Sequence, residues 1–144
     1  MSCHNYTSKD ELLKAAYVIQ RRTNNKVVPQ IPRFNESTYE MNCWGFTAIA
    51  AGWRQQEEWM DEGVMESLLE KHTKPVKGAV RVGDIVVYRN IDRCGFYENE
   101  LMHTALVVSP KNNVILHKPG AWPVVIDGID SYEGYAVSYR RIIE

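Results

Sequence analysis

The stretch His103–Lys118 reads HTALVVSPKNNVILHK and contains two short apolar runs separated by a turn signal. The runs 103–109 and 113–118 are rich in β-branched residues, which is typical of strands. Proline and asparagine between them favour a tight turn. The stretch therefore predicts a β-hairpin that begins with His103 and carries His117 near its end.

Further strand candidates lie on both sides of this hairpin. AVRVGDIVVYR (79–89) precedes it, and WPVVID (122–127) and YAVSYRRII (135–143) follow it. The dipeptides Pro119-Gly120 and Asp127-Gly128 separate these later runs with turn signals. The second half of the chain is therefore expected to form a succession of short strands.

The first half of the chain has helical patterns instead. A capping box, SKDE, precedes apolar residues at helical spacing and predicts a first helix at about 8–22. A second helix is expected to begin at Asn42 or Cys43 and to run through Trp53. A short third helix is expected around 64–71.

The order of these elements indicates the fold class. Helices come first and strands second, which predicts an α+β fold with N-terminal helices packed on a C-terminal antiparallel β-sheet. At 144 residues the chain is long enough for one hydrophobic core and too short for two. We therefore expect a single domain over 1–144.

Composition excludes several classes of function. A net charge of −1 gives no electrostatic reason to expect a nucleic-acid or anionic-membrane partner. No stretch approaches the roughly 20 apolar residues of a membrane span. The N-terminal residues contain no basic region followed by an apolar one, so no Sec-type signal peptide is expected. These features predict a protein that is cytoplasmic as synthesised, or one that leaves by a signal-independent route or in a phage particle.

The three cysteines, Cys3, Cys43 and Cys94, are odd in number and widely spaced. This pattern indicates neither a disulfide framework nor a zinc knuckle. Cys43 has a distinctive position because it opens the second predicted helix, directly after the potential capping residue Asn42. The N-terminus of a helix favours an anion, so this position is expected to lower the thiol pKa below about 8.5. Cys43 is thus a candidate nucleophile, with a buried core residue or a metal ligand as the alternatives.

The two hairpin histidines are candidates for the base that such a nucleophile needs. If the strands pair antiparallel, His103 and His117 lie at the same end of the hairpin. A regular hairpin with an even-length loop is expected to put them on one face. His103 would then take the proton of Cys43, and His117 would orient His103. A Cys-His-His metal site is the alternative, although no metal-ligand motif indicates one.

In their order along the chain, these motifs resemble the NlpC/P60 superfamily of papain-like cysteine peptidases and amidases. The Cys-Gly-Phe helix start of that family matches residues 42–46, Asn-Cys-Trp-Gly-Phe. Its Gly-Asp strand matches residues 83–88, its histidine-led apolar strand matches residues 103–108, and its third polar residue matches His117. In this chain, tryptophan replaces the usual serine after the cysteine, and asparagine replaces the usual aspartate before it.

The resemblance implies a papain-like fold and cleavage of an amide bond, most plausibly in peptidoglycan stem peptides. It makes Cys43 the nucleophile, His103 the general acid/base and His117 the orienting residue, with no cofactor and no metal. The aromatic residues near these motifs are the candidates for substrate binding: Trp44, Tyr39 and Trp122.

Two other functions are compatible with the same motifs. One is a non-catalytic peptide-binding module that keeps the fold, and the other is an acyltransferase that uses the same thioester chemistry. The expected partner is a peptidoglycan peptide or another amide substrate. For a phage lysin or a secreted toxin, a delivery or immunity partner is expected in addition.

Overall fold

The computed structural model describes residues 6–31, 37–91 and 97–143. It contains three α-helices, which we number in chain order: α1 (Lys9–Arg22), α2 (Cys43–Ala50) and α3 (Glu62–His72). The first and third predicted helices are confirmed. The second begins at Cys43 as predicted but ends three residues before Trp53, because the chain turns at Gly52, where φ is +81°.

Six strands form one antiparallel sheet in the order β1-β6-β2-β3-β4-β5. The strands are β1 (Thr73–Pro75), β2 (Ile85–Asn90), β3 (Leu101–Ser109), β4 (Val114–His117), β5 (Val125–Gly128) and β6 (Tyr135–Ile142), and a 3-10 turn occupies Ile129–Ser131. Three helices and an antiparallel sheet confirm the α+β class. Strand β1 was not predicted, because its three residues form a strand only through their pairing with β6.

The sheet has an apolar layer on each of its two faces. One layer contains Ile85, Val87 and Leu106, and it packs against apolar residues of the three helices. The opposite layer contains Val86 and Tyr88, and residues of the segment after β5 and of β6 cover it. Successive residues of β2 and β3 therefore face opposite apolar layers, and both layers exclude water.

The Gly-Asp motif links α1 to the sheet. Gly83 has a φ of +88°, and a side chain there would overlap the Cγ2 atom of Thr23, just beyond the end of α1. Asp84 accepts two hydrogen bonds of 2.8 Å from the guanidinium of Arg141 in β6. The motif therefore acts structurally in this chain.

The start of α2 is held by a side chain that makes three buried hydrogen bonds. The Oδ1 atom of Asn42 accepts from the backbone N–H of Gly45 at 3.0 Å and from that of Met60 at 3.1 Å. Its Nδ2 atom donates to the carbonyl of Met60 at 2.9 Å. Gly45 has no room for a side chain, because a Cβ atom would overlap the carbonyl oxygen of Glu58. Asn42 thus fixes both the first turn of α2 and the segment that covers it.

We predict that Asn42→Ala lowers the free energy of unfolding by at least about 2 kcal/mol, because it leaves buried donors and an acceptor without partners. The matched control is Ser8→Ala, which removes the exposed cap of α1 and should cost about 0.5–1 kcal/mol. Urea unfolding of the two variants and the wild type measures both losses. Equal losses in the two variants would contradict this role of Asn42.

Candidate active site

The hairpin of β3 and β4 contains a bulge that decides where its histidines face. Four residues separate the paired Ser109 and Val114, and the register then shifts by one between Val107 and Ser109. In a regular hairpin with this four-residue loop, two residues on opposite strands share a face only if their residue numbers differ by an odd number. His103 and His117 differ by 14, so a regular hairpin would place them on opposite faces.

The bulge reverses this arrangement. With Val108 as the extra residue, Val107 pairs with Ile115, and both histidines lie on the face that also carries Tyr88. The expectation that the histidines share a face is confirmed. The reason given for it was wrong, because the bulge and not a regular even-length loop brings them together.

The histidines form part of a hydrogen-bonded chain of three side chains. The Nε2 atom of His103 lies 2.7 Å from the Nδ1 atom of His117. The Nε2 atom of His117 lies 2.7 Å from Oδ2 of Asp127 in β5. His117 is fully buried and His103 is only 4% exposed, so both imidazoles are shielded from water. Asp127 was not predicted as a site residue.

The carboxylate gives this chain a direction. An ionised carboxylate only accepts, so His117 donates from Nε2 to Asp127 when His117 is neutral. The Nδ1 atom of His117 is then an acceptor, and it takes the proton that His103 carries on Nε2. A neutral His103 in this tautomer has an unprotonated Nδ1 atom, which is the form a base requires. One carboxylate therefore sets the tautomers of both imidazoles.

Aromatic rings surround the two imidazoles. The Tyr132 ring lies 4.3 Å from that of His103, between centroids, and meets His117 edge-on at 5.8 Å. Tyr88 pairs with His103 across β2 and β3, and the centroids of their rings lie 5.7 Å apart. The hydroxyl of Tyr88 donates to the carbonyl of Ile129 at 2.6 Å. Because these rings lower the local dielectric, they strengthen the hydrogen bonds they cover.

Cys43 is the first residue of α2, and α2 packs against β3. Thr47 joins the two elements: its hydroxyl donates to the carbonyl of Cys43 at 3.0 Å and lies 2.9 Å from the hydroxyl of Thr104. The backbone of Thr104 lies close enough to the sulfur of Cys43 to lower the pKa of its thiol.

The backbone pattern of β3 shows to which side the N–H of Thr104 points. Val107 exchanges backbone hydrogen bonds with residues 83 and 84, on the β2 side. Since successive residues of a strand alternate sides, Thr104 directs its N–H toward β4. Strand β4, however, ends at His117, and its last ladder pair before that end joins Leu106 to Leu116.

Burial controls the protonation of the thiol. Cys43 is 7% exposed, and burial raises the pKa of its thiol to about 12. The N–H groups of Thr104, Trp44 and Cys43 itself, together with the charge of Lys118, lower the pKa, but by less than burial raises it. The expectation of a thiol pKa below 8.5 was therefore wrong, because loss of hydration outweighs the helix N-terminus. The resting thiol is protonated, and it needs a base.

The predicted substrate-binding residues have different surroundings. Tyr39 is 79% exposed, four residues before Cys43. Trp44 is half-buried against the helix-side core, and Trp122 is half-buried and stacked on Tyr6 at 5.2 Å. Among the described residues, neither indole N–H has a hydrogen-bond partner. The structure therefore leaves two buried donors near the predicted site and one exposed aromatic ring.

The geometry of the histidines bears on the metal alternative. A metal bound to two imidazoles lies about 2.0–2.1 Å from each nitrogen, which requires a larger separation than the 2.7 Å between His103 and His117. Within the described ranges, no group of three or more His, Cys, Asp or Glu residues is arranged to hold a metal ion. Cys43 is a free thiol, while Cys3 and Cys94 lie outside the described residues.

No model of a known protein family matches this chain, and no curated protein matches it either. In the parts of the chain that the structure describes, no helix is both long enough and apolar enough to cross a membrane.

We predict that iodoacetamide alkylates Cys43 at pH 7 at least about a hundredfold more slowly in the folded protein than in urea, because the raised pKa removes thiolate. Between pH 5.5 and 7.5 the folded rate should rise about tenfold per pH unit. Mass spectrometry of the peptide that contains Cys43 measures both rates. A fast rate that is independent of pH below 7 would instead show a preformed thiolate.

Proposed function

We propose that this protein is a cysteine hydrolase that cleaves an amide bond through a thioester, with a papain-like arrangement of the NlpC/P60 type. The observation that carries the proposal is the hydrogen-bonded chain from Asp127 through His117 to His103, whose neighbour Thr104 acts on the thiol of Cys43 through its backbone. A buried thiol with a raised pKa is inert without a base, and this chain supplies one with a defined tautomer.

The first step forms the thioester. The Nδ1 atom of His103 removes the proton from Cys43 as the sulfur attacks the substrate carbonyl carbon. The carbonyl oxygen becomes an oxyanion next to the backbone N–H groups of Cys43 and Trp44, which already act on the sulfur. His103 then donates its proton to the departing amine nitrogen, and the C–N bond breaks.

The second step releases the acid. Water attacks the thioester carbonyl while His103 accepts a proton from it, and the carbon–sulfur bond then breaks as His103 returns this proton to the sulfur and regenerates the thiol. In both steps His103 passes through its cationic form, and the carboxylate of Asp127 stabilises this charge through His117. The roles of Cys43, His103 and His117 therefore follow from one proton path.

The proposed substrate is the stem peptide of peptidoglycan, on the strength of the resemblance to the NlpC/P60 superfamily. Tyr39 and Trp122 stand on two segments that are joined by a hydrogen bond of 2.9 Å from the N–H of Thr38 to the carbonyl of Ala121. A peptide can pack against these rings, with the buried indole N–H of Trp44 as a donor to one of its carbonyls. Such an enzyme meets its substrate after export or as part of a phage particle.

We predict that His103→Ala reduces turnover nearly to the level of Cys43→Ala, because general acid/base catalysis contributes roughly 10²–10⁴ in rate. Asp127→Ala should reduce turnover about 10- to 100-fold, because it removes only part of the general acid/base contribution. If Asp127 acts through His117, adding Asp127→Ala to His117→Ala should cost almost nothing more.

The control for this double-mutant cycle is Asp130→Ala, which removes an exposed carboxylate three residues after Asp127. We expect turnover of the control to stay within about twofold of the wild type, as is usual for surface substitutions. Additive losses in the double variant of His117 and Asp127 would contradict the proton path, provided that thermal unfolding shows all variants folded.

We predict that the wild-type protein releases stem-peptide fragments from purified peptidoglycan, while Cys43→Ala releases none. Mass spectrometry identifies the bond from the new amine and carboxylate termini. Fragments in which an added amine replaces water would identify acyl transfer. Peptide binding by both proteins with no change of mass would identify the non-catalytic binding module.

A further inference from the structure

Lys118 directly follows the orienting histidine and is completely buried, which is unusual for a lysine. Its Nζ atom donates to the carbonyl of Gly120 at 2.7 Å and to the carbonyl of Thr38 at 3.0 Å. Thr38 lies in the segment that leads into Cys43, and Gly120 lies in the segment that follows His117. One ammonium group therefore joins the two segments that carry the nucleophile and the orienting residue.

The same ammonium group acts on the thiol. Lys118 occupies the position after the end of β4 that would have paired with Thr104, and the backbone of Thr104 lowers the pKa of the Cys43 thiol. The positive charge of Lys118 favours the thiolate of Cys43, and that thiolate in turn favours the ammonium form of Lys118. We propose that Lys118 is a positioning residue of this site, which holds the two segments together and stabilises the thiolate of Cys43 by its charge.

This role rests on the proposed function of Cys43 as nucleophile, and it assigns to the site a cation that the triad does not contain. His103 cannot serve as this cation throughout, because it must exchange its proton in each step. Lys118 stays protonated while His103 is neutral or charged. The thiolate therefore has a constant positive neighbour at neutral pH.

The charge of Lys118 has a pH limit. Burial lowers the pKa of its ammonium group to about 8, while the charges of Cys43 and Glu57 act in the opposite direction. On the other face of the sheet, the titratable groups next to the site are His103, His117, Asp127 and Tyr132. The ammonium group is fully present below about pH 7 and is lost as the pH rises through 8.

Loss of this proton should change how thiolate formation depends on pH. Below pH 8, thiolate forms beside an ammonium group, and its amount rises tenfold per pH unit. Above pH 8, Lys118 loses its proton before Cys43 does. The amount of thiolate then stays nearly constant until the pH is high enough to ionise a thiol that has no positive neighbour. The alkylation rate of wild-type Cys43 should therefore show a break near pH 8.

The test measures iodoacetamide alkylation of Cys43 from pH 6 to 10 in the wild type and in Lys118→Met, which keeps the length of the side chain and removes its charge. At pH 7 the variant should react at least about tenfold more slowly, because an adjacent opposite charge shifts a pKa by one unit or more. The difference should vanish toward pH 10, and the variant should show no break near pH 8. Lys111→Met, an exposed lysine of the same hairpin, is the control and should match the wild type.

Three results would overturn this role: a wild-type rate without a break near pH 8, a break that persists in Lys118→Met, and equal rates of the two proteins at pH 7. If Lys118→Met does not fold, the wild-type profile decides alone. Alkylation needs no substrate, so its outcome is separate from that of the hydrolase proposal. A break without any amide cleavage would retain the Lys118 role and reject the hydrolase, and cleavage without a break would do the reverse.

Discussion

The site depends on one constraint, the pair of hydrogen bonds of 2.7 Å that joins His103 to His117 and His117 to Asp127. Three strands must be in register for these bonds to form, and the bulge at Val108 must be present for the imidazoles to share a face. The aromatic rings around these two hydrogen bonds strengthen them. The rings also raise the cost of breaking either bond, since buried polar atoms would lose their partners. The fold therefore fixes the direction of the hydrogen-bonded path from Asp127 to His103.

The site combines this path with a thiol that its surroundings keep protonated. Burial raises the pKa of Cys43, and the N–H groups around the sulfur offset only part of that effect. A buried thiol is protected from adventitious reaction, and it becomes nucleophilic only as a base removes its proton. In the proposed mechanism, His103 removes that proton and Lys118 stabilises the charge that remains. Burial thus makes the reactivity of Cys43 depend on the proposed base.

The order of elements and the residues that cap the first two helices could be predicted from the sequence, because both depend on local patterns. Ser8 caps α1 as its capping box predicted, and Cys43 begins α2 as its neighbour Asn42 predicted. Asp127 could not be assigned, since its role follows from the pairing of β4 with β5, and the sequence around it indicates only a turn. Lys118 was missed for a similar reason: its burial depends on two segments meeting. The thiol pKa was wrong in direction because exposure is a property of the whole fold.

Acylation of Cys43 by a generic activated ester, p-nitrophenyl acetate, requires the thiol and its base but no specific substrate, so it isolates the proposed roles of Cys43 and His103. We expect a burst of p-nitrophenolate that is stoichiometric with the protein, together with an acetyl group on the peptide that contains Cys43. The burst should be absent in Cys43→Ala and strongly slowed in His103→Ala. An acetyl group found elsewhere in the chain, or a burst of equal rate in folded His103→Ala, would contradict the proton path described here.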